Sequence, residues 1–163
     1  MRYLIDTHIF LWSLFSPQKI SRPIAIIIEE PGNRIFVSTI TFWEIALKFS
    51  LNKLELEGIT PDALPEFANK MNYESLSLSA EDAASFYHLP RISHQDPFDR
   101  MIIWQAIREK MVLISNDSKI SGYEEYGLKL LILILIDRAK RFNVLCVLCP
   151  TLSPCALRLA PIF

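Results

Sequence analysis

Three short apolar runs, Tyr3-Leu4-Ile5, Ile35-Phe36-Val37 and Val112-Leu113-Ile114, constrain what this chain can fold into. None offers a polar residue to turn toward water. Each therefore reads as a strand buried on both faces, the habit of a parallel sheet. The first two pass straight into helical patterns, at residues 7–15 and 38–50. Pro23 opens a further helix that Pro31, Gly32 and Asn33 end, since proline suits a first helical turn.

The clearest helix, 38–50, carries Ile40, Trp43, Leu47 and Leu51 at three- and four-residue spacing, which predicts one buried stripe. Residues 61–71, 80–89 and 98–110 read as three more helices, and 74–78 and 128–131 as two more strands. Ser79 and Asp82 form a capping pattern for the helix at 80–89. Strands alternating with helices imply the α/β class, as a three-layer α/β/α arrangement around a central parallel sheet.

Acidic residues recur at the junctions of these elements. Asp6 follows the first strand, Asp96 and Asp99 open the helix at 98–110, and Asp117 follows the strand at 112–115. Glu44 stands inside the helix at 38–50, beside its apolar stripe. Each has a plain structural reading: Asp6, Asp96, Asp99 and Asp117 as helix or turn caps, Glu44 as a surface partner of Lys48 four residues on. Taken together they predict one pocket, because ligands of an open α/β sheet collect outside the carboxyl ends of its strands. Clustered carboxylates repel one another unless a hard cation sits among them. The expected ion is Mg2+ or Mn2+, whose chemistry is the activation of water and the stabilisation of a phosphodiester's leaving oxygen.

Other chemistries lack their residues. No glycine-rich phosphate loop and no Gly-x-Ser-x-Gly elbow exists. Zinc is poorly served, since His8, His88 and His94 are widely spaced and Cys146, Cys149 and Cys155 offer no fourth ligand. The net charge of -1 neither demands nor excludes a nucleic-acid partner. The body has no cysteine, the N-terminus lacks a signal-peptide pattern, and the longest charge-free apolar run, 130–136, is too short to cross a bilayer. A soluble cytoplasmic protein, with no membrane association, is expected.

Four blocks carry a family resemblance: Tyr3-Leu4-Ile5-Asp6-Thr7-His8, Val37-Ser38-Thr39-Ile40-Thr41-Phe42-Trp43-Glu44, Asp96-Pro97-Phe98-Asp99-Arg100-Met101, and Leu113-Ile114-Ser115-Asn116-Asp117. In this order the chain resembles a PIN domain, in particular the VapC-type toxins of type II toxin–antitoxin systems. The resemblance covers residues 1–131. It implies a metal-dependent endoribonuclease in which Asp6, Glu44, Asp99 and Asp117 are catalytic metal ligands, with Asp96 as an additional acid. It places the hydroxyls of Thr7, Ser38 and Ser115 near the site. It also implies an RNA substrate, a cognate antitoxin protein and a homodimer. Lys48, Arg91, Arg100 and Lys119 are candidate phosphate contacts.

The alternative is a catalytically inactive PIN-like scaffold that binds an antitoxin. A receiver-type signalling module needs an acidic pair after the first strand, and a haloacid-dehalogenase phosphatase needs Asp-x-Asp there. Asp6-Thr7-His8 supplies neither. Residues 132–163 depart from the family. They are apolar, hold all three cysteines along with Pro150, Pro154 and Pro161, and have no useful periodicity. They are expected to be an appendage, a candidate for disorder such as a frame change in the coding sequence would add, on a domain that closes near Leu131. Trp104 stands where a smaller residue is expected.

Overall fold

The computed structural model describes residues 1–56, 58–92 and 96–132. The elements run β1 (Arg2–Ile5), α1 (Thr7–Phe15), α2 (Arg22–Glu29), β2 (Arg34–Ser38), α3 (Thr39–Ser50), α4 (Leu64–Lys70), β3 (Tyr73–Leu76), α5 (Ala80–Ser85), α6 (Pro97–Arg108), β4 (Val112–Ser115) and β5 (Lys129–Ile132). Short 3-10 turns add Pro17–Lys19, Pro61–Ala63, Phe86–His88 and Ser118–Tyr126. The five strands form one sheet in the order β3-β2-β1-β4-β5, and every pairing is parallel. Expectations for residues 133–163 lie outside the described residues.

The central strands show why their sequences are unbroken apolar runs. Successive side chains of a strand point to opposite faces. Tyr3 and Ile5 of β1, Val37 of β2 and Ile114 of β4 pack with Ile9, Phe10, Ile45 and Leu64 on one face. Leu4, Phe36 and Leu113 point the other way, into Ile40, Ile102, Ile103 and Tyr123. Helices thus cover both faces, as the three-layer reading expects.

One expectation for α3 is overturned. Of the stripe Ile40, Trp43, Leu47 and Leu51, only Ile40 is buried; Trp43 is 60% and Leu51 53% exposed. The inward face is instead Ile40, Thr41, Glu44 and Ile45. α3 begins at the carboxyl edge of β2 and contributes to both cores, Ile40 to one and Ile45 to the other. Its polar residues are therefore turned toward the sheet edge and its apolar stripe toward solvent, where the Trp43 ring meets Phe98 edge-on at 4.9 Å.

Trp104, unexpected in size, has a structural use. Its indole N–H lies 3.1 Å from the Asp82 carbonyl and 3.2 Å from the Ser85 hydroxyl, which fastens α6 to α5. Among the described residues no helix is long and apolar enough to cross a membrane.

Candidate active site

Because all strands are parallel, β1, β2 and β4 end at the same edge. The strand order also reverses there: the chain adds β2 and β3 on one side of β1, then returns to add β4 on the other. A crevice forms at such a reversal, between the ends of β1 and β4.

Asp6 sits on the β1 side of that crevice. Its backbone N–H donates to the Ile114 carbonyl at 3.0 Å, which continues the β1–β4 ladder one residue past the strand. One carboxylate oxygen caps α1, accepting from the Ile9 N–H at 2.7 Å. The other accepts from the Ser115 hydroxyl and from the Asn116 N–H at 3.3 Å. Asp6 therefore caps α1 through one oxygen, as its plain reading expects, and is held to the end of β4 through the other. Burial raises the Asp6 pKa above its ordinary value, against the opposing pull of these hydrogen bonds and of His8.

Glu44 is 2% exposed in the middle of α3. One of its oxygens accepts from the Thr7 hydroxyl at 2.6 Å, and the other pairs with the Lys48 ammonium. The i,i+4 pair expected on the surface exists, but its acid lies inside. Burial works to lower the Lys48 pKa. The hydrogen bond it donates to Glu44 and the fields of Glu44, Asp96 and Asp99 outweigh it, so the pKa rises. The acids of α3 and of the α6 entrance thus face one ammonium.

Asp96 caps α6, accepting from the Phe98 N–H at 2.9 Å, with Asp99 in the first turn. Asp117 accepts from the Lys119 N–H at 2.8 Å, and its own N–H donates to the Ser115 hydroxyl at 3.1 Å. Ser115 therefore links Asp6 and Asp117. Among the described residues, no three His, Cys, Asp or Glu side chains converge as a ready-made metal site. Asp6 and Glu44 are held by hydroxyls, and Lys48 supplies the positive charge.

The other expected cations divide. Arg100 is half-buried, donates to the Leu89 carbonyl at 2.9 Å and stands 4.8 Å over the Phe86 ring, so it serves packing. Arg91 and Lys119 are exposed.

Gln105 carries no mark in the sequence beyond its helical phase, yet it is fully buried. Its carbonyl accepts from the Ser38 hydroxyl at 2.5 Å and its amide donates to the Ser77 carbonyl at 3.2 Å. Ser38 in turn accepts from the Ile40 N–H and caps α3, so Gln105 fixes where the helix bearing Glu44 begins. Gln105→Leu leaves the buried Ser38 hydroxyl without the acceptor for its proton and is expected to cost about 1–3 kcal/mol. A lowered urea midpoint would register this; an unchanged midpoint would remove the amide from what holds this edge together.

The sequence matches the PIN domain family model over residues 3–126. No curated protein matches the chain. Its fold is similar to a chain in the VapBC2 complex of Rickettsia felis bound to a promoter DNA fragment, with TM-score 0.58, 19% identity and coverage of 81% of this chain and 98% of that one. It is also similar to a chain of VapBC-1 from nontypeable Haemophilus influenzae, with TM-score 0.57, 18% identity and coverage of 82% and 98%. A third likeness is to VapBC-5, of the VapBC toxin–antitoxin family, from Mycobacterium tuberculosis, with TM-score 0.53, 16% identity and coverage of 80% and 98%. At these identities the likeness is one of fold, and it agrees with the family match and with the parallel sheet order: the chain belongs to the PIN domain family.

Proposed function

We propose that this protein is a metal-dependent endoribonuclease of the VapC type, the toxin of a type II toxin–antitoxin pair. The observation that carries the reading is the pair of buried carboxylates at the sheet's carboxyl edge, Asp6 and Glu44, each aimed by a buried hydroxyl. A buried carboxylate is costly, and a fold that keeps two at one sheet edge, with Asp96 and Asp99 acting on the same Lys48 as Glu44, supports a role for a cation there.

The donor chemistry fits a hard divalent ion, since every candidate atom is a carboxylate oxygen. Asp6, Glu44, Asp99 and Asp117 would hold it, with Asp96 assisting. Bound Mg2+ or Mn2+ supplies Lewis acidity toward a phosphodiester and a water acidic enough to attack it. The chain's own part is orientation. Ser115 and Thr7 fix the carboxylate rotamers, Lys48 pairs with Glu44, and the α1 cap holds Asp6 at the β1–β4 junction.

The VapBC neighbours support an antitoxin partner, since VapBC-5 is a member of the VapBC family of toxin–antitoxin systems. The exposed Trp43, Leu47 and Leu51 on α3 support a homodimer, because a helix face of that kind is normally covered. The scaffold alternative has one observation in its favour: the Lys48 ammonium already neutralises Glu44.

The test is incubation of the purified protein with total cellular RNA in Mg2+, in Mn2+ and in EDTA. Discrete fragments with either metal and intact RNA in EDTA are expected. RNA that stays intact in every arm would leave the scaffold reading in its place.

A further inference from the structure

α1 has two faces. Ile9 and Phe10 are buried in the core, whereas His8 is exposed and Leu11, Trp12 and Phe15 are half-buried. These four recur at three- and four-residue spacing and so share one side of the helix. That side walls a cleft of about 490 Å3, whose other wall is the segment from Lys53 to Leu56 beyond α3. The inner end of the cleft reaches Thr7 and Lys48, both joined to Glu44.

The lining is aromatic and basic together. Lys19 and Lys53 line it with one acid, Glu55, and Lys48, which is paired with Glu44, stands at its end. The Lys19 ammonium stands 5.8 Å from the Trp12 ring centroid, and the His8 ring lies 6.1 Å away on the other side of the turn, tilted by 57°. A basic cleft that opens onto an acidic centre is the arrangement a phosphodiester strand requires, since phosphates need cations on the way to a site whose own side chains repel them. An aromatic ring beside those cations is what an unpaired base stacks on.

We propose that this cleft is a nucleotide subsite of the nuclease. It takes one unpaired base of a single-stranded RNA against Trp12 and the adjoining phosphates on Lys19 and Lys53, and the strand continues past Lys48 to the carboxylates. Bases inside a duplex are stacked and cannot enter. The proposal rests on the nuclease reading of the carboxylates, and it adds the residues of this chain that receive the strand beside them.

The experiment is fluorescence anisotropy of a short, unstructured, fluorescein-labelled RNA with the full chain in EDTA, at several salt concentrations. Trp12→Ala is expected to weaken binding about tenfold, the scale of one lost base–aromatic stack. Lys53→Ala is expected to reduce the slope of log affinity against log salt by about 0.7, the value of one phosphate contact on a single strand. Trp12→Phe is expected to keep most of the affinity while abolishing most of the RNA-induced tryptophan quenching. The same RNA annealed to its complement should not compete.

Wild-type affinity in both alanine variants, or full competition by the duplex, would overturn the subsite and leave a polypeptide as the occupant of the cleft. If Trp12→Ala weakens binding but the wild type never cleaves RNA with metal, the subsite stands and the nuclease reading falls. If Trp12→Ala binds and cleaves as the wild type does, the nuclease stands and the subsite falls.

Discussion

Asp6→Asn is expected to reduce metal-dependent RNA cleavage by roughly 10²–10³-fold, the scale on which a single electrostatic group at a reaction centre acts, without unfolding the protein. The variant should melt no lower than the wild type in EDTA at pH 7. The reason lies in the direction of the Asp6 pKa. Burial raises it above 3.8, so the fold prefers the protonated acid. The stability this group contributes is fully present below the unfolded pKa and is lost as pH rises through the folded one.

Where Asp6 is ionised, the wild type thus carries a buried charge that asparagine does not. Asparagine still caps α1, because its side-chain oxygen can accept from Ile9. Its amide must face Ser115 and the Asn116 N–H, and the clash with the latter keeps the gain small. Thermal scans from pH 8 downward should show the difference between the two proteins shrinking toward acid. Undiminished metal-dependent cleavage by the variant would remove Asp6 from the ligand set. A melting point well below wild type at pH 7 would mean the hydrogen bonds at Asp6 outweigh its desolvation.

The second large effect is expected from Lys48→Met. This change leaves Glu44, whose side chain is 3% exposed, with Thr7 as its remaining hydrogen-bond partner and with Asp96 and Asp99 no longer opposed by the ammonium. Removing one partner of a fully buried pair costs several kcal/mol. Here the lysine side chain is 38% exposed, and solvent screening reduces the figure to about 1–3 kcal/mol. Urea titrations in EDTA should show the loss. The same titrations in Mn2+ should recover most of it, because an ion that binds only the folded carboxylates stabilises the fold by mass action. A gap of equal size in EDTA and in Mn2+ would mean that no ion takes over the charge beside Glu44.

The sheet was legible because its chemistry is local. β1, β2 and β4 bury both faces, so each is a run of apolar residues that needs no knowledge of its neighbours. β3 was read at 74–78 and lies at Tyr73–Leu76; it is an edge strand whose Glu74 and Ser75 blur the pattern. α3 was read correctly as a helix but on the wrong face. Periodicity reports where apolar residues sit, and at a polar sheet edge the buried side is the one carrying Thr41 and Glu44.

The carboxylates were visible because strand ends are predictable places for them. What braces them was not. Gln105 meets Ser38 across 67 residues, and the cleft pairs α1 with Lys53–Leu56 from beyond α2, β2 and α3. Contacts of that kind exist only after the layers have packed.

The hydrogen bond from Ser115 to Asp6 joins residues 109 apart in sequence. It bears on when the protein can act as well as on how. A chain emerging from the ribosome delivers Asp6 first and Glu44 soon after, but neither strand β4 nor the serine that orients Asp6 exists until most of the domain has been made. Pairing β1 with β4 closes the longest loop of the sheet, the slow kind of step in folding. The centre therefore cannot close before β4 has been made, and the β1–β4 pairing that closes it also joins the two halves of the sheet. Synthesis and activity are separated in time by the topology itself.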